Sequence, residues 1–297
     1  MLPIRNYLHN LGENIKYILK NNMFDLDYQK MQEVYEIFEW NKKRENGSFD
    51  NVIKVLSPID SIDYIKKSNK SFIRFGDGEI KLINGKDLSF QKYETKLSSI
   101  LKEVISNYQQ NVLIGINYMV FHDMDIIDDR TKAINFAHSQ KIGMSYLKLC
   151  NKQNIYIDAA FGLLPAQSSL DNYDNFFEKL KQLFFNKDII LFIGENVKQY
   201  KHNIFEYAKS FTVEYGPTTN AFSQYDEILE RVKKYAKSPM GGGQQIFCFI
   251  LGPTGKALVY ELSKLNYLAY DIGHMWKAYY FYKENLDYTK DNFFKPD

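Results

Sequence analysis

The sequence predicts an α/β protein: a mostly parallel sheet with helices on both faces, preceded by a helical N-terminal extension. Two observations carry this. Short continuous apolar runs, such as Val112 to Ile116, Asp188 to Ile193 and Gln245 to Leu251, read as strands buried on both faces. Between them lie amphipathic stretches such as Glu94 to Asn107, with Leu97, Ile100, Leu101, Val104 and Ile105 on one side. Strands alternating with helices of this length build a parallel sheet.

Taken in order, Met31, Val34, Tyr35 and Phe38 recur at helical spacing, and Asn41 to Asp50 breaks that pattern with Gly47 and Ser48. Residues 1–57 therefore read as a helical extension and 58–297 as the main domain. Ile59 to Lys67 reads as a helix feeding the strand Ser71 to Phe75. The helix of Glu94 to Asn107 and the strand Val112 to Ile116 follow. Asp128 to Cys150 is helical, Asn154 to Asp158 a strand, Asn172 to Phe185 a helix and Asp188 to Ile193 a strand. Next come a helix over His202 to Ser210, a strand over Phe211 to Tyr215 and a helix over Phe222 to Tyr235. Ser238 to Gly243 reads as a flexible loop. Gln245 to Leu251, Gly255 to Leu265 and Tyr267 to Tyr270 close the chain as strand, helix, strand. The order is Rossmann-like.

Bulk composition narrows the function. A chain of 297 residues with 45% hydrophobic content can bury a sizeable core. A net charge of +2 argues against broad nucleic-acid binding. No run approaches a membrane span and the N-terminus lacks a signal peptide's apolar region, so a cytoplasmic protein, at most peripheral to a membrane, is expected. Two cysteines, with Cys248 inside an apolar run, suit a reducing compartment.

Chemistry concentrates just past the strand ends. Arg74-Phe75-Gly76-Asp77-Gly78-Glu79 follows a strand. Glycine between Asp77 and Glu79 suggests a sharp turn that aims both carboxylates at one point, as Mg²⁺ or Mn²⁺ bound beside a phosphate requires. Arg74 suits a bidentate phosphate contact. The same residues also read as a polar turn. Leu251-Gly252-Pro253-Thr254-Gly255-Lys256 joins a strand to a helix, so Gly252 and Thr254 stand where a helix N-terminus favours a diphosphate. It is not a Walker A loop: two residues, not four, separate its glycines, and Ala257 follows the lysine. Asp271 and His274 end the next strand, and Glu195 ends another. These three are the candidate catalytic bases. Asn220 either caps a helix or reaches a nucleobase edge. In a parallel sheet all these strand ends share one edge.

The motifs resemble those of the GT-D-type bacterial glycosyltransferase family over residues 60–297. Arg74 to Glu79, including Gly76, matches its RFGDGE signature with the metal-associated DxE. Phe90-Gln91-Lys92-Tyr93, Pro217 to Phe222 with Tyr225, Leu251 to Thr254 and Asp271-Ile272-Gly273-His274 match in order. The resemblance implies a Rossmann-like fold, a UDP-sugar donor such as UDP-glucose, a Mn²⁺ or Mg²⁺ ion, and a glycan, glycoprotein or lipid-linked saccharide acceptor. The chain departs from the pattern at Trp276, where an acidic residue is usual, and in Ala160 to Ser169 and Asn196 to Gln199, which lack the expected arginines. Two rivals stand beside this reading: another nucleotide-dependent transferase, and a non-catalytic nucleotide- or sugar-binding module.

Overall fold

A computed structural model describes residues 28–168, 172–196, 199–236, 245–288 and 293. The expected loop of Ser238 to Gly243 lies outside the described residues. The described chain forms an eight-stranded sheet in which the neighbouring strands pair in parallel. The strands are β1 (Lys54–Val55), β2 (Ser71–Arg74), β3 (Val112–Ile116), β4 (Ile155–Asp158), β5 (Asp188–Gly194), β6 (Ser210–Gly216), β7 (Gln245–Ile250) and β8 (Ala269–Asp271). Their spatial order is β1-β4-β3-β2-β8-β7-β5-β6.

Burial explains the continuous apolar runs. Along β5, Ile189, Leu191 and Ile193 enter one core and Ile190 and Phe192 the other. Along β7, Ile246 and Cys248 face the first, Phe247 and Phe249 the second. With side chains alternating across a sheet covered on both faces, every position must be apolar. One core lies under α2 (Pro58–Ser68), α6 (Asp174–Lys181) and α9 (Met275–Lys283). The other lies under α4 (Thr95–Ser106), α5 (Asp129–Leu149), α7 (Tyr225–Tyr235) and α8 (Gly252–Lys264).

The chain runs outward from β2 through β3 to β4, crosses to β5 and β6, then returns through β7 to set β8 beside β2. The two halves of the sheet meet at β2 and β8, and their carboxyl ends form the crevice where ligands bind in open α/β sheets.

Besides β1 and α9, which the sequence reading did not include, three elements differ from it. Asp77–Ile83 is a helix, α3, where a polar turn was expected. The Glu79 carboxylate accepts from the Gly76 N–H at 2.7 Å and starts that helix as half of a capping box. His202 to Ser210 is not helical. Asn203 Oδ1 accepts from the Phe205 N–H at 2.9 Å, a local bond that competes with helix, while Ile204 and Phe205 anchor in the core. Helix α8 starts at Gly252, three residues before the expected start.

The N-terminal extension is built into the domain. Its helix α1 (Tyr28–Glu45) packs along α5, and its β1 pairs with β4 at the sheet edge. Trp40 is buried and its indole N–H donates to Val120 O at 2.9 Å. Arg44 reaches His122 O at 3.2 Å, and Asp50 pairs with the same histidine's Nδ1 at 3.3 Å. The Trp40 ring lies so close to α5 that a Cβ on Gly143 would stand 2.0 Å from it. This explains a glycine inside a long helix.

A double-mutant cycle tests this contact. Ala in place of Gly normally favours a helix by about 1 kcal/mol. Gly143→Ala is instead expected to destabilise by about 1–3 kcal/mol through overpacking. In a Trp40→Ala background, itself costing about 3–5 kcal/mol, Gly143→Ala should become stabilising. Urea denaturation of the four proteins reads the reversal; the same sign in both backgrounds would refute the contact.

Candidate functional site

The crevice floor is a buried ion network drawn from four elements. Arg74 ends β2, Asp271 ends β8, Lys256 lies in the first half of α8 and Glu79 in the first turn of α3. The Arg74 guanidinium donates through Nε to Asp271 O at 2.7 Å and through Nη2 to Asp271 Oδ1 at 3.3 Å, while the Arg74 N–H donates to Asp271 Oδ2 at 3.1 Å. Lys256 Nζ lies 3.2 Å from both Asp271 Oδ2 and Glu79 Oε1. The other Glu79 oxygen accepts from Gly76. Two cations and two anions thus neutralise one another out of water, as buried charges require.

The electrostatics follow. Burial alone pushes the Asp271 carboxyl up, but Arg74 and Lys256 outweigh it and hold the group below its ordinary value. Burial alone lowers Lys256, but Asp271 and Glu79 reverse this and raise it. Nearby, burial raises Asp158 at the end of β4 to about 6, against the N–H bonds it accepts from Tyr118 and Ala160.

Gly273 makes room for the network. Its φ of +45° is left-handed, and a Cβ there would stand 1.9 Å from Arg74 Nη2. The glycine of Asp271-Ile272-Gly273-His274 therefore serves Arg74.

A cleft of about 960 Å³ opens above this floor. Arg74, Gly76, Asp77, Glu79 and Lys256 line one side. The exposed side of α5 lines another, with Arg130, Ile134, His138 and Lys141. Asp77 and Glu79 part ways here, because residues two apart on a helix do not share a face. Glu79 turns inward and is buried; the Asp77 side chain is 62% exposed and meets Lys81 at 2.6 Å. The two carboxylates do not converge as the glycine between them suggested.

The other expected site residues distribute as follows. Arg74 donates to Asp271 and to Ala159 O, so most of its fork is engaged within the floor. Asp271, paired twice and held ionised, holds Arg74 and is unsuited to take a proton. Asn220 and Thr254 serve as braces. Asn220 accepts from the Lys92 N–H at 2.8 Å and its own N–H donates to Phe90 O at 2.8 Å. Buried Gln91 accepts from the Phe222 N–H at 3.3 Å and from the Thr254 hydroxyl at 3.4 Å. These bonds tie residues 90–93 across the start of α8. Gly252 has a φ of +54°, and a Cβ there would meet the Phe90 ring at 3.1 Å, so an aromatic ring stands over the helix start. Glu195 and His274 are exposed past β5 and β8 and do not line the cleft. Trp276 is buried, its indole N–H donating to His202 O at 2.7 Å.

The sequence reading passed over two groups. Lys256 drew no role from the sequence, yet α8 is apolar on nearly every side, and such a helix is buried. A lysine there needs acidic partners. Arg130, Ile134, His138 and Lys141 share one helical face, a spacing legible in the sequence but without a named motif.

Comparisons with known proteins agree with this geometry. The family model described as Glycosyltransferase GT-D fold matches residues 72–291. The chain is 31% identical over 231 residues to a probable glycosyl transferase, Gly, of Streptococcus gordonii, covering 76% of this chain and 33% of that protein. It is 29% identical over 242 residues to the glycosyltransferase GlyD of Streptococcus pneumoniae, covering 77% and 28%. It thus spans about a third of the length of these relatives. A solved structure of domain of unknown function 1792, described as a distinct glycosyltransferase fold, superposes with a TM-score of 0.70 at 30% identity, over 80% of this chain and 84% of that one. A glycosyltransferase of Streptococcus sanguinis with the same domain gives 0.70 at 26% identity, over 79% and 86%. With its parallel sheet, its strand-end crevice and a match across most of its length, the chain belongs to the glycosyltransferase GT-D fold family.

Proposed function

We propose that the chain transfers a hexose, with glucose the first candidate, from a UDP-sugar to an acceptor hydroxyl in glycoprotein or surface-polysaccharide assembly, with Mn²⁺ or Mg²⁺. The carrying observation is Asp77: an accessible carboxylate within the family signature, at the edge of a cleft at the sheet's switch point. The cleft volume of about 960 Å³ is at the upper end of small-ligand sites. Among the described residues no helix is long and apolar enough to cross a membrane, and a cytoplasmic enzyme, at most peripheral to a membrane, fits that.

The donor set suits a metal that the nucleotide completes. Among the described residues no group of three His, Cys, Asp or Glu could hold an ion alone. Mg²⁺-type sites use one or two carboxylates plus substrate phosphates and water. Asp77 supplies one such oxygen donor when Lys81 swings aside, and Glu79, beside it, orders the loop through Gly76 and Lys256. When bound, such an ion supplies Lewis-acid stabilisation of the departing diphosphate. The chain's own part is a neutral, rigid floor. Arg74 and Lys256 pair with Asp271 and Glu79, and Gly76 carries Asp77 to the cleft edge.

Two outcomes test this. Release of UDP from UDP-glucose should stop in excess EDTA and return with Mn²⁺; full release in chelator, or none under any condition, overturns the reading in favour of metal-free chemistry or a binding module. The carboxylates should also separate. Asp77→Ala should lower turnover by orders of magnitude while stability moves within about 0.5 kcal/mol. Glu79→Ala should lower turnover and also cost about 3 kcal/mol, because it leaves a buried excess of positive charge. Equal stability effects, by thermal denaturation, would contradict the burial difference.

A further inference from the structure

The floor network is neutral, so it adds no net charge to the cleft. The remaining cations are elsewhere. Lys81 is engaged with Asp77. Arg130, Lys141 and Lys86 line the cleft with no side-chain hydrogen bond or ion pair among the described residues, and His138 stands with them. The two carboxylates that line the cleft, Asp77 and Glu79, are both already paired with lysines. The α5 wall is thus a positive surface facing a cleft with no free anion to meet it.

The wall is also long. Arg130 and Lys141 stand eleven residues apart on one helix, about 16 Å at the helical rise. A single diphosphate seated at Asp77 cannot span that length. Ser139 adds a second, independent sign of a ligand. It lines the same cleft at 1% exposure, and its hydroxyl has no hydrogen-bond partner. A buried hydroxyl without a partner costs free energy unless a ligand or water satisfies it. Ile134 and Ile142 intersperse apolar surface along the same wall.

We propose that the α5 wall, through Arg130, His138 and Lys141 with Lys86, is an acceptor subsite for a saccharide carried on a phosphate. This rests on the glycosyl-transfer reading and deepens it: the acceptor is anionic, and its charge is read by the helix opposite the donor-side carboxylate. The position of that helix depends on α1, through the Trp40 and Gly143 contact. The N-terminal extension therefore helps place the acceptor wall.

The test is calorimetry on the full chain, saturated with UDP and Mg²⁺ so that the donor side is filled. Glucose 1-phosphate is the probe and methyl glucoside the uncharged control. Wild-type protein should bind the first and not the second. The double variant Arg130→Gln, Lys141→Gln, with unchanged melting temperature, should bind glucose 1-phosphate roughly tenfold more weakly or worse, as expected for lost charge-assisted bonds. Its affinity for UDP should be unchanged. An equal loss for UDP would hand the wall to the donor, and an unchanged affinity for glucose 1-phosphate would remove the subsite; either overturns the proposal. Geranyl phosphate, run beside glucose 1-phosphate, identifies the source: tighter variant-sensitive binding of the prenyl compound means a lipid carrier, tighter binding of the sugar compound a soluble one. If UDP fails to bind the wild-type chain, the donor reading falls by itself, and the glucose 1-phosphate arm without nucleotide still decides the subsite.

Discussion

Four charged groups largely withdrawn from bulk water hold the centre of this protein together. Arg74, Asp271, Lys256 and Glu79 come from β2, β8, α8 and α3, and each pairs with at least one other at 3.2–3.3 Å. Burial penalises each charge singly, so each element is constrained by what the others supply. The place matters as much as the charges. β8 returns to lie beside β2 only at the end of the fold, and the network links the opening and closing parts of the main domain where they meet. Gly273 is the steric counterpart, since its missing Cβ leaves room for the guanidinium.

Consequences spread outward from that floor. Because it is neutral and rigid, the electrostatic character of the cleft is set by groups that stand free of it: Asp77 on one side and the α5 cations on the other. Because Arg74 and Asp271 occupy each other, most of the guanidinium donors and both Asp271 carboxylate oxygens are already engaged within the floor. The floor's role is preorganisation, holding the Gly76 turn and thereby Asp77 at the cleft edge, which is how rigid sites avoid reorganisation costs during reaction.

A second layer of bonds places the surrounding loops. Asn220, Gln91 and Thr254, from three separate segments, tie residues 90–93 over the start of α8. On the opposite side, Trp40 and Asp50 fasten the N-terminal extension to α5 and to the turn carrying Val120 and His122. Motif residues that invite a ligand-binding role can thus act by bracing the backbone. A buried amide or hydroxyl satisfied by protein partners has little capacity left for a ligand.

The sequence by itself determined the architecture. Apolar runs in β3, β5 and β7 and the amphipathic α4 follow from period and composition, and both are local properties that tertiary packing reinforced. It also determined that the polar residues gather past the strand ends, because a parallel sheet aligns those ends. The local break at Asn203 and the helix that Glu79 caps were harder to read, since each depends on a side chain choosing a backbone partner. What only the tertiary structure decided is which polar residue faces water. Asp77 and Glu79 stand two residues apart in one signature, yet one is exposed and the other buried, and Lys256, Asp271 and Thr254 proved internal. Sequence spacing specifies angles around a helix, but burial depends on what packs against each angle. Here that was set by β8 and α8, nearly two hundred residues further along the chain.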